Sequence, residues 1–329
     1  MNLQARRYVE DPTALSCPWV ESPFFEQLLE SRDIDEEEKK LARQYHEEGY
    51  VVLENAIPPA LVDRIVAEYP SLFDPKNPFK AAGRELRELL LRDPTRKQDA
   101  WAISESIREL ACHERILSVL RLLYGREAVP FQTLNFLPGT EQGIHSDAIH
   151  FSSIPSRFMC GVWVALEDAT EENGPLRYVP GSHRLSELQL DDLGLWAQDL
   201  GGQLGPNYDQ YEKFVEALVA TRRLPVKQLV VKKGSALVWA ANLLHGGSPI
   251  TRRGTTRKSQ VTHYYFENCV YYTPIFSNTR IGEIFLRTIT NIRTGKVMKQ
   301  RLNGIELDAE PLEAGRYRLR PAVQPHAQS

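Results

Sequence analysis

Two short stretches of this chain place metal-binding side chains at informative spacings. The first is His145-Ser146-Asp147, and the second begins 100 residues later at His245. Side chains two positions apart on an extended strand point to the same side, so His145 and Asp147 can reach one metal ion. Two histidines and one carboxylate are the ligands of a facial triad, which holds Fe(II) and leaves the opposite positions open. We therefore predict that His145, Asp147 and His245 bind iron and form the catalytic centre.

An arginine follows the second histidine at a useful distance. Arg257 lies twelve residues after His245, at the start of a strongly β-like run. A dicarboxylate that chelates iron by one end needs its far carboxylate held, and a guanidinium does this with two parallel hydrogen bonds. Ser248 adds a candidate hydroxyl donor for the same carboxylate. Arg252 and Arg253 are alternatives to Arg257 in this role.

The segments that must position these residues are short and β-like. They follow residue 128 in series and are separated by Gly, Pro and Asn, with few helical patterns between them. Many short strands without intervening helices indicate an antiparallel sandwich or barrel. The predicted strands are 130–137, 144–151, 158–166, 176–179, 228–231, 235–239 and 258–267.

Helical patterns precede the strands. Asp35 is a candidate cap for a helix that Gly49 ends, and a strand is predicted at 50–53. Pro58-Pro59 begins another helix, and the stretch 98–124 has the apolar side of one or two amphipathic helices. We expect these helices to pack against the sheet.

Together these patterns predict a mainly β protein with α-helices, built as a double-stranded β-helix of the jelly-roll or cupin type. We expect one domain over 1–329, with a helical part at 1–127, the β core at 128–275 and a C-terminal extension at 276–329. The polar insert 185–225 is partly helical near 211–220 and is a candidate lid. The extension contains possible strands at 283–287 and 296–301, followed by a Pro-rich tail expected to be mobile.

Composition excludes several classes of function. The net charge of −3 provides no basic stripe for nucleic acid or an anionic membrane surface. No run of 18 apolar residues predicts a membrane span, and residues 1–10 lack the apolar stretch of a secretory signal. Four cysteines without a CxxC pair suggest reduced thiols, so we expect a cytoplasmic protein that acts on a small molecule. The sequence does not indicate an oligomeric state.

Several motifs resemble the phytanoyl-CoA dioxygenase family of Fe(II)/2-oxoglutarate oxygenases. They are FQTLNF at 131–136, HSD at 145–147, GVWVAL at 161–166, GPLRYVPGSH at 174–183 and HGGS at 245–248. The stretch YHEEGYVVLENAIPPALVDRI at 45–65 is similar to that family's opening helix, strand and helix. The resemblance spans roughly residues 40 to 266.

The resemblance implies a double-stranded β-helix that uses Fe(II), 2-oxoglutarate and O2 to hydroxylate a small molecule, releasing succinate and CO2. It implies iron ligation by His145, Asp147 and His245. It further implies that Arg257 anchors 2-oxoglutarate, with Trp163 beside the co-substrate and Gln132 and Asn135 as polar contacts. The family's arginine usually lies eleven residues after the distal histidine, so the interval of twelve implies one extra residue in the turn 252–256. Related halogenases lack the carboxylate ligand, so Asp147 favours hydroxylation.

Three further histidines have open roles. His183 lies in a Pro-Gly turn and is expected to be structural. The parity of His150 relative to His145 on a regular strand turns it away from the metal unless the strand bends. His263 shares parity with Arg257 and either lines the cavity or belongs to the core.

Two other functions fit the sequence less well. A non-redox cupin, such as a metal-dependent isomerase, would more often supply several histidines and a glutamate and would not need Arg257. A non-catalytic binding module on an oxygenase scaffold would not need three convergent ligands. Consumption of 2-oxoglutarate distinguishes the oxygenase from both.

Overall fold

The computed structural model describes residues 15–74, 95–197 and 206–321. Its main element is a six-stranded antiparallel sheet in the order β1-β8-β5-β10-β3-β2. These strands are Tyr50–Leu53 (β1), Arg96–Gln98 (β2), Ala128–Phe136 (β3), Met159–Ala165 (β5), Ala236–Ala240 (β8) and Ser259–Phe266 (β10).

Two smaller antiparallel sheets lie opposite the large one. Their orders are β7-β6-β9 and β11-β4. Side chains of both layers share one apolar cluster, in which Trp163 and Val261 of the large sheet meet Leu176 and Tyr178 of a small one. The predicted double-stranded β-helix is therefore confirmed, and the candidate metal ligands lie between its layers. The strands are Ser152–Ile154 (β4), Leu176–Tyr178 (β6), Lys227–Gln228 (β7), His245–Gly247 (β9) and Val270–Tyr272 (β11).

The outer face of the large sheet is covered by helices. Val129, Val162 and Val238 on that face belong to the same apolar cluster as Ile107 and Ile116 of two helices. The large sheet is thus buried on both faces, which explains why its central strands contain few exposed residues. The helices are Phe25–Glu30 (α1), Glu36–Glu48 (α2), Pro59–Leu72 (α3), Glu105–Ala111 (α4), Glu114–Tyr124 (α5) and Pro206–Thr221 (α6).

Helix α2 has the ends that its sequence predicts. The Asp35 side chain accepts from the Glu38 backbone N–H, and the Glu38 carboxylate accepts from the Asp35 backbone N–H, forming a capping box. Gly49 ends the helix with a φ of 77°, in the left-handed region that favours glycine. The chain then enters β1 directly, whose register places Tyr50 beside Trp239 of β8.

Three local predictions are wrong. The segment 144–151 is not one strand, because the chain turns at Asp147–Ile149 before β4 begins. Only isolated bridges involve Glu283, Ile284 and Leu286, so 283–287 is not a strand either, and 296–301 has only an isolated bridge at Val297 before a strand begins at Arg301. The C-terminal extension instead forms a three-stranded sheet up to Pro321, and the predicted mobile tail beyond it lies outside the described residues. The strands of this sheet are Arg301–Leu302 (β12), Ile305–Pro311 (β13) and Tyr317–Pro321 (β14).

Among the residues that the structure describes, no helix combines the length and apolarity required to cross a membrane.

Candidate functional site

His145 and Asp147 reach the same point by a different local structure from the one predicted. His145 pairs with His245 through two backbone hydrogen bonds of 2.9 Å, and Asp147 then begins a 3-10 turn. Ser146 between them is extended, with φ −106° and ψ 137°, so the side chains on either side of it project together. The Ser146 hydroxyl donates to the Ala241 carbonyl and accepts from the Ala148 backbone N–H, which fixes this turn.

The three predicted ligands converge. One ligand atom from each of His145, Asp147 and His245 lies within 4.8 Å of the other two, and all three residues are buried. His145 Nδ1 lies 2.9 Å from the Gly143 carbonyl, and His245 Nδ1 lies 2.9 Å from the Leu243 carbonyl. A carbonyl only accepts, so each Nδ1 carries the proton and each Nε2 presents a lone pair toward the centre. This donor set suits a divalent transition metal.

The electrostatics of this cluster suit a bound cation. Burial, reinforced by the neighbouring His245, lowers the pKa of His145 to about 3, so its ring is neutral. Burial alone would raise the pKa of Asp147, but His245, His263 and His145 around it hold that pKa well below its usual range. In the described part of the chain, no lysine or arginine pairs with Asp147. A buried carboxylate beside two imidazole rings, with no lysine or arginine of the described residues paired to it, therefore fits a bound metal ion.

Sequence reasoning missed Trp239 and assigned no definite role to His263. The Trp239 indole Nε1 donates to Asp147 Oδ2 at 2.9 Å, and His263 Nε2 lies 3.6 Å from the same oxygen. The other ring nitrogen of His263 is 3.1 Å from Gln132 Oε1. Strand parity turns Trp239 and His263 inward. Their contact with Asp147 depends on how distant strands pair, which the sequence pattern does not show.

Arg257 is buried at the far end of the same interior face. It is 3% exposed, and its guanidinium carbon lies 5.4 Å from the Trp163 ring centre. Arg257 precedes His263 by six residues, with the same strand parity, and Trp163 pairs with Val261 between them. The alternatives Arg252 and Arg253 are exposed, and Arg252 faces Glu172.

The Arg257 guanidinium has unfulfilled bonding capacity. Its Nε has no hydrogen-bond partner, and no carboxylate of the described residues lies within ion-pair distance of it. Burial lowers the pKa of Arg257 to about 10, which still leaves it charged at neutral pH. A buried and unpaired cation is costly, so this geometry fits an anionic group supplied by a ligand.

Two of the remaining predicted contacts lie elsewhere. The Ser248 hydroxyl accepts from Gln228 Nε2 and lines a separate groove of about 500 Å³, which neither Arg257 nor the histidines line. Asn135 donates to Gln260 on the helix-covered face of the sheet, whereas Gln132 faces inward beside His263. Residues three apart on a strand face opposite sides, so Gln132 and Asn135 cannot share the cavity. We therefore withdraw Ser248 and Asn135 from the predicted co-substrate contacts.

Helix α6 of the predicted insert packs directly on the metal-binding segment, whereas residues 198–205 of the insert lie outside the described residues. Ser146 N donates to the Tyr211 hydroxyl of α6 at 3.3 Å. The Tyr208 ring centre lies 4.9 Å from that of His150, whose own ring centre is 6.4 Å from that of His145. The turn after Asp147 is thus the bend that brings His150 back toward the site. Burial lowers the pKa of His150 to about 4, so its ring is neutral.

His183 has the structural role that its turn predicts. Its ring is buried, and Nε2 lies 3.1 Å from the His46 carbonyl of helix α2. It therefore ties the Pro-Gly turn to the N-terminal helices and takes no part in the metal cluster.

Comparison with known proteins agrees with this geometry. The sequence profile of the phytanoyl-CoA dioxygenase family matches residues 45–259. Human (Homo sapiens) peroxisomal phytanoyl-CoA dioxygenase is 23% identical over 270 residues, covering 75% of this chain and 73% of the relative. The ectoine dioxygenase of Nocardia farcinica is 25% identical over 225 residues, covering 62% of this chain and 70% of that enzyme.

Solved structures share the fold. The 2-oxoglutarate (alpha ketoglutarate)-dependent epimerase SnoN from nogalamycin biosynthesis has a TM-score of 0.56 at 20% identity, covering 86% of this chain and 98% of SnoN. EctD from S. alaskensis with bound Fe has a TM-score of 0.53 at 21% identity, covering 72% of this chain and 78% of EctD. The profile match, which spans most of the chain and both halves of the buried His-Asp-His triad, establishes that this chain belongs to the phytanoyl-CoA dioxygenase family of Fe(II)- and 2-oxoglutarate-dependent dioxygenases.

Proposed function

We propose that the protein hydroxylates a small molecule, with 2-oxoglutarate and O2 as co-substrates and succinate and CO2 as by-products. One observation carries the proposal. A single buried interior face has three convergent metal-ligand atoms at one end and, at the other, a guanidinium whose Nε has no hydrogen-bond partner among the described residues. A metal-chelating dicarboxylate would bring an anionic group to each end.

The residues present suit Fe(II) and 2-oxoglutarate. His145 and His245 would hold iron through Nε2, with Asp147 as the third ligand, and Arg257 would hold the far carboxylate of 2-oxoglutarate. Iron and 2-oxoglutarate together supply the oxidising chemistry when bound. The S. alaskensis EctD, which shares this fold, is described with 2-oxoglutarate and 5-hydroxyectoine, which supports the proposal.

The surrounding side chains have separate tasks. The Trp163 ring forms a wall of the interior between the triad and Arg257, where a co-substrate would lie. Gln132 contacts one ring nitrogen of His263, and the other ring nitrogen faces Asp147 Oδ2. Gln132 therefore helps to orient His263 beside Asp147. The apolar cluster that includes Trp163, Leu237 and Val261 keeps water from the interior, which strengthens every charge interaction there.

The substrate would enter beside the insert. His150, Tyr208 and Gln142 surround His145 on that side, and Gln142 Nε2 lies 3.4 Å from His145 Nε2. These groups donate and accept hydrogen bonds, and the Glu212 carboxylate of α6 interacts with Tyr208 on the same side, which favours a compact polar molecule over a macromolecule. We propose that the protein acts in the cytoplasm and that residues 185–225 help to form the substrate pocket.

Succinate formation tests this proposal. Purified protein with Fe(II), 2-oxoglutarate and O2 is incubated with a panel of small molecules, and succinate is measured alongside each product's mass. We expect substrate-dependent succinate and a product that gains one oxygen atom, and neither with the His245→Ala variant. A product of unchanged mass would indicate epimerisation, and loss of two hydrogens would indicate cyclisation or desaturation. Metal binding without any consumption of 2-oxoglutarate would contradict the proposal and favour a non-redox cupin.

A further inference from the structure

Trp239 touches two of the three triad residues from inside the sheet. Its Nε1 donates to Asp147 Oδ2 at 2.9 Å, and its ring centre lies 4.8 Å from that of His245. Both partners are buried, so water does not compete for this hydrogen bond. The indole is therefore placed to control how the carboxylate is presented.

Gly161 provides the space that the indole occupies. Gly161 pairs with Trp239 on one side and with His263 on the other, so the three residues form one row across three strands. A Cβ atom at residue 161 would lie 2.8 Å from Trp239 Nε1 and closer still to two carbons of the ring. Any larger residue would displace the indole, because real Cβ atoms essentially never approach other atoms so closely. The absence of a side chain at Gly161 thus permits the contact between Trp239 and Asp147.

The two oxygens of Asp147 are in different environments. Oδ2 accepts from Trp239 and also faces His263 at 3.6 Å. Oδ1 accepts no hydrogen bond from the described residues. The two oxygens are about equally near the triad histidines, with Oδ1 3.9 Å from His145 Nε2 and Oδ2 3.8 Å from His245 Nε2, so the hydrogen bond to Trp239 is what distinguishes them. An oxygen already engaged by an N–H is the poorer metal ligand, because the donor withdraws electron density from its lone pairs.

We propose that Trp239 is a positioning residue that occupies Asp147 Oδ2, so that the metal binds through Oδ1 alone, and that Gly161 makes this arrangement possible. The inference rests on the proposed function, since it assumes that the triad binds iron. A carboxylate that binds through one oxygen takes one coordination position, whereas one that binds through both takes two. The contact thus preserves an open position for 2-oxoglutarate or O2.

Trp239→Phe tests the role of the N–H, because it keeps an aromatic ring and removes the donor. We expect Fe(II) affinity, measured by anaerobic titration, to fall by about 10- to 100-fold, as for other groups that orient metal ligands. Substitution of Co(II) as a spectroscopic probe should show a changed visible spectrum, which reports coordination number independently of turnover. Val238→Ala is the matched control, because Val238 is the adjacent buried residue on the opposite face of β8. It should lower thermal stability and leave both metal readouts unchanged.

Gly161→Ala tests whether the missing side chain at residue 161 makes room for the Trp239 indole. We expect it to weaken Fe(II) binding as Trp239→Phe does, because the added methyl group forces the indole off Asp147. The double variant combines Gly161→Ala with Trp239→Phe. Its phenylalanine ring is shorter than the indole and does not clash with the added methyl group, so its metal affinity should match that of Trp239→Phe alone. Such non-additivity indicates that both residues act through one contact.

The outcomes separate this inference from the proposed function. If the unaltered protein binds neither Fe(II) nor Co(II), the proposed function fails, and this inference fails with it. If it binds both metals while folded Trp239→Phe binds them equally well with the same Co(II) spectrum, only the role of Trp239 is overturned. If Gly161→Ala alone leaves metal affinity unchanged, the role of Gly161 is overturned.

Discussion

The two ends of the β-helix interior are built in opposite ways. At the metal end, His145, Asp147 and His245 each have a fixed hydrogen-bond partner, and Asp147 carries a negative charge. At the other end, Arg257 carries one positive charge, and its Nε has no partner among the described residues. The comparison teaches that each end suits a partner of opposite charge, because a buried charge is costly alone. We propose that a metal ion at the first end and a carboxylate of the co-substrate at the second are these partners.

The largest expected effect concerns the metal end alone. Asp147→Ala removes the only carboxylate of the triad and leaves its two imidazole ligands. We expect Fe(II) affinity to fall by more than about 100-fold, beyond the loss of an outer partner. Anaerobic titration measures this. Equal iron binding by Asp147→Ala and the unaltered protein would place the metal elsewhere.

A smaller effect separates the arginine end from the metal end. Arg257→Met removes a buried unpaired charge, so the ligand-free variant should be more stable by about 1 to 3 kcal/mol. The KM for 2-oxoglutarate should rise by about 10- to 100-fold, corresponding to the loss of charged hydrogen bonds, while Fe(II) affinity stays the same. Thermal unfolding and steady-state kinetics give the two readouts.

Arg252→Met is the control for that prediction, because Arg252 is exposed and faces Glu172. It should change neither stability nor the KM for 2-oxoglutarate by a measurable amount. If Arg252→Met raised this KM and Arg257→Met did not, the two ends would have been assigned incorrectly.

Acid should affect a buried histidine outside the cavity. Burial lowers the pKa of His183 to about 4, below its usual value of 6.5. The folded protein therefore binds a proton at this site less readily than the unfolded chain, and stability falls as pH decreases from about 6.5 to 4. Urea unfolding at pH 7 and pH 5 should show that His183 accounts for a loss on the order of 1 to 2 kcal/mol, measured as the difference between the unaltered protein and His183→Gln, in addition to the losses from the other buried histidines. An equal loss in both proteins would exclude this contribution.

The smallest effect tests whether the insert supports the metal end. Tyr211→Phe removes the hydroxyl that accepts from Ser146 N, beside His145 and Asp147. We expect a loss of about 1 kcal/mol in the free energy of unfolding, with Fe(II) affinity slightly reduced and the KM for 2-oxoglutarate unchanged. A selective change in that KM would instead connect the insert to the Arg257 end.

Sequence reasoning located the main features of both ends because strand parity is a local property. The spacing of His145 and Asp147 predicts side chains on one side, which holds even though the strand ends at this point. The same parity rule could have separated Gln132 from Asn135, which are three residues apart. Strand parity predicts that His145 and Asp147 share one side, and it equally predicts that Gln132 and Asn135 face opposite sides of their strand.

Other features depend on register between distant strands. Trp239 reaches Asp147 only because Gly161 lies opposite it, and no local pattern reveals which residues of β5 and β8 face each other. The C-terminal sheet was missed for a different reason. Strand β13 is exposed or half-buried along its length, yet its residues from Ile305 to Glu310 alternate between apolar and acidic, so a period-two signal was present in the sequence and was not used.

The most direct test of the account is an anaerobic titration of the protein with Fe(II) and 2-oxoglutarate, monitored by the visible charge-transfer absorption of the chelate. We expect a band that saturates at one equivalent of iron, disappears in His145→Ala and needs more 2-oxoglutarate in Arg257→Met. Iron that binds to the triad without producing the band would contradict the claim that one ligand joins the two ends of the interior.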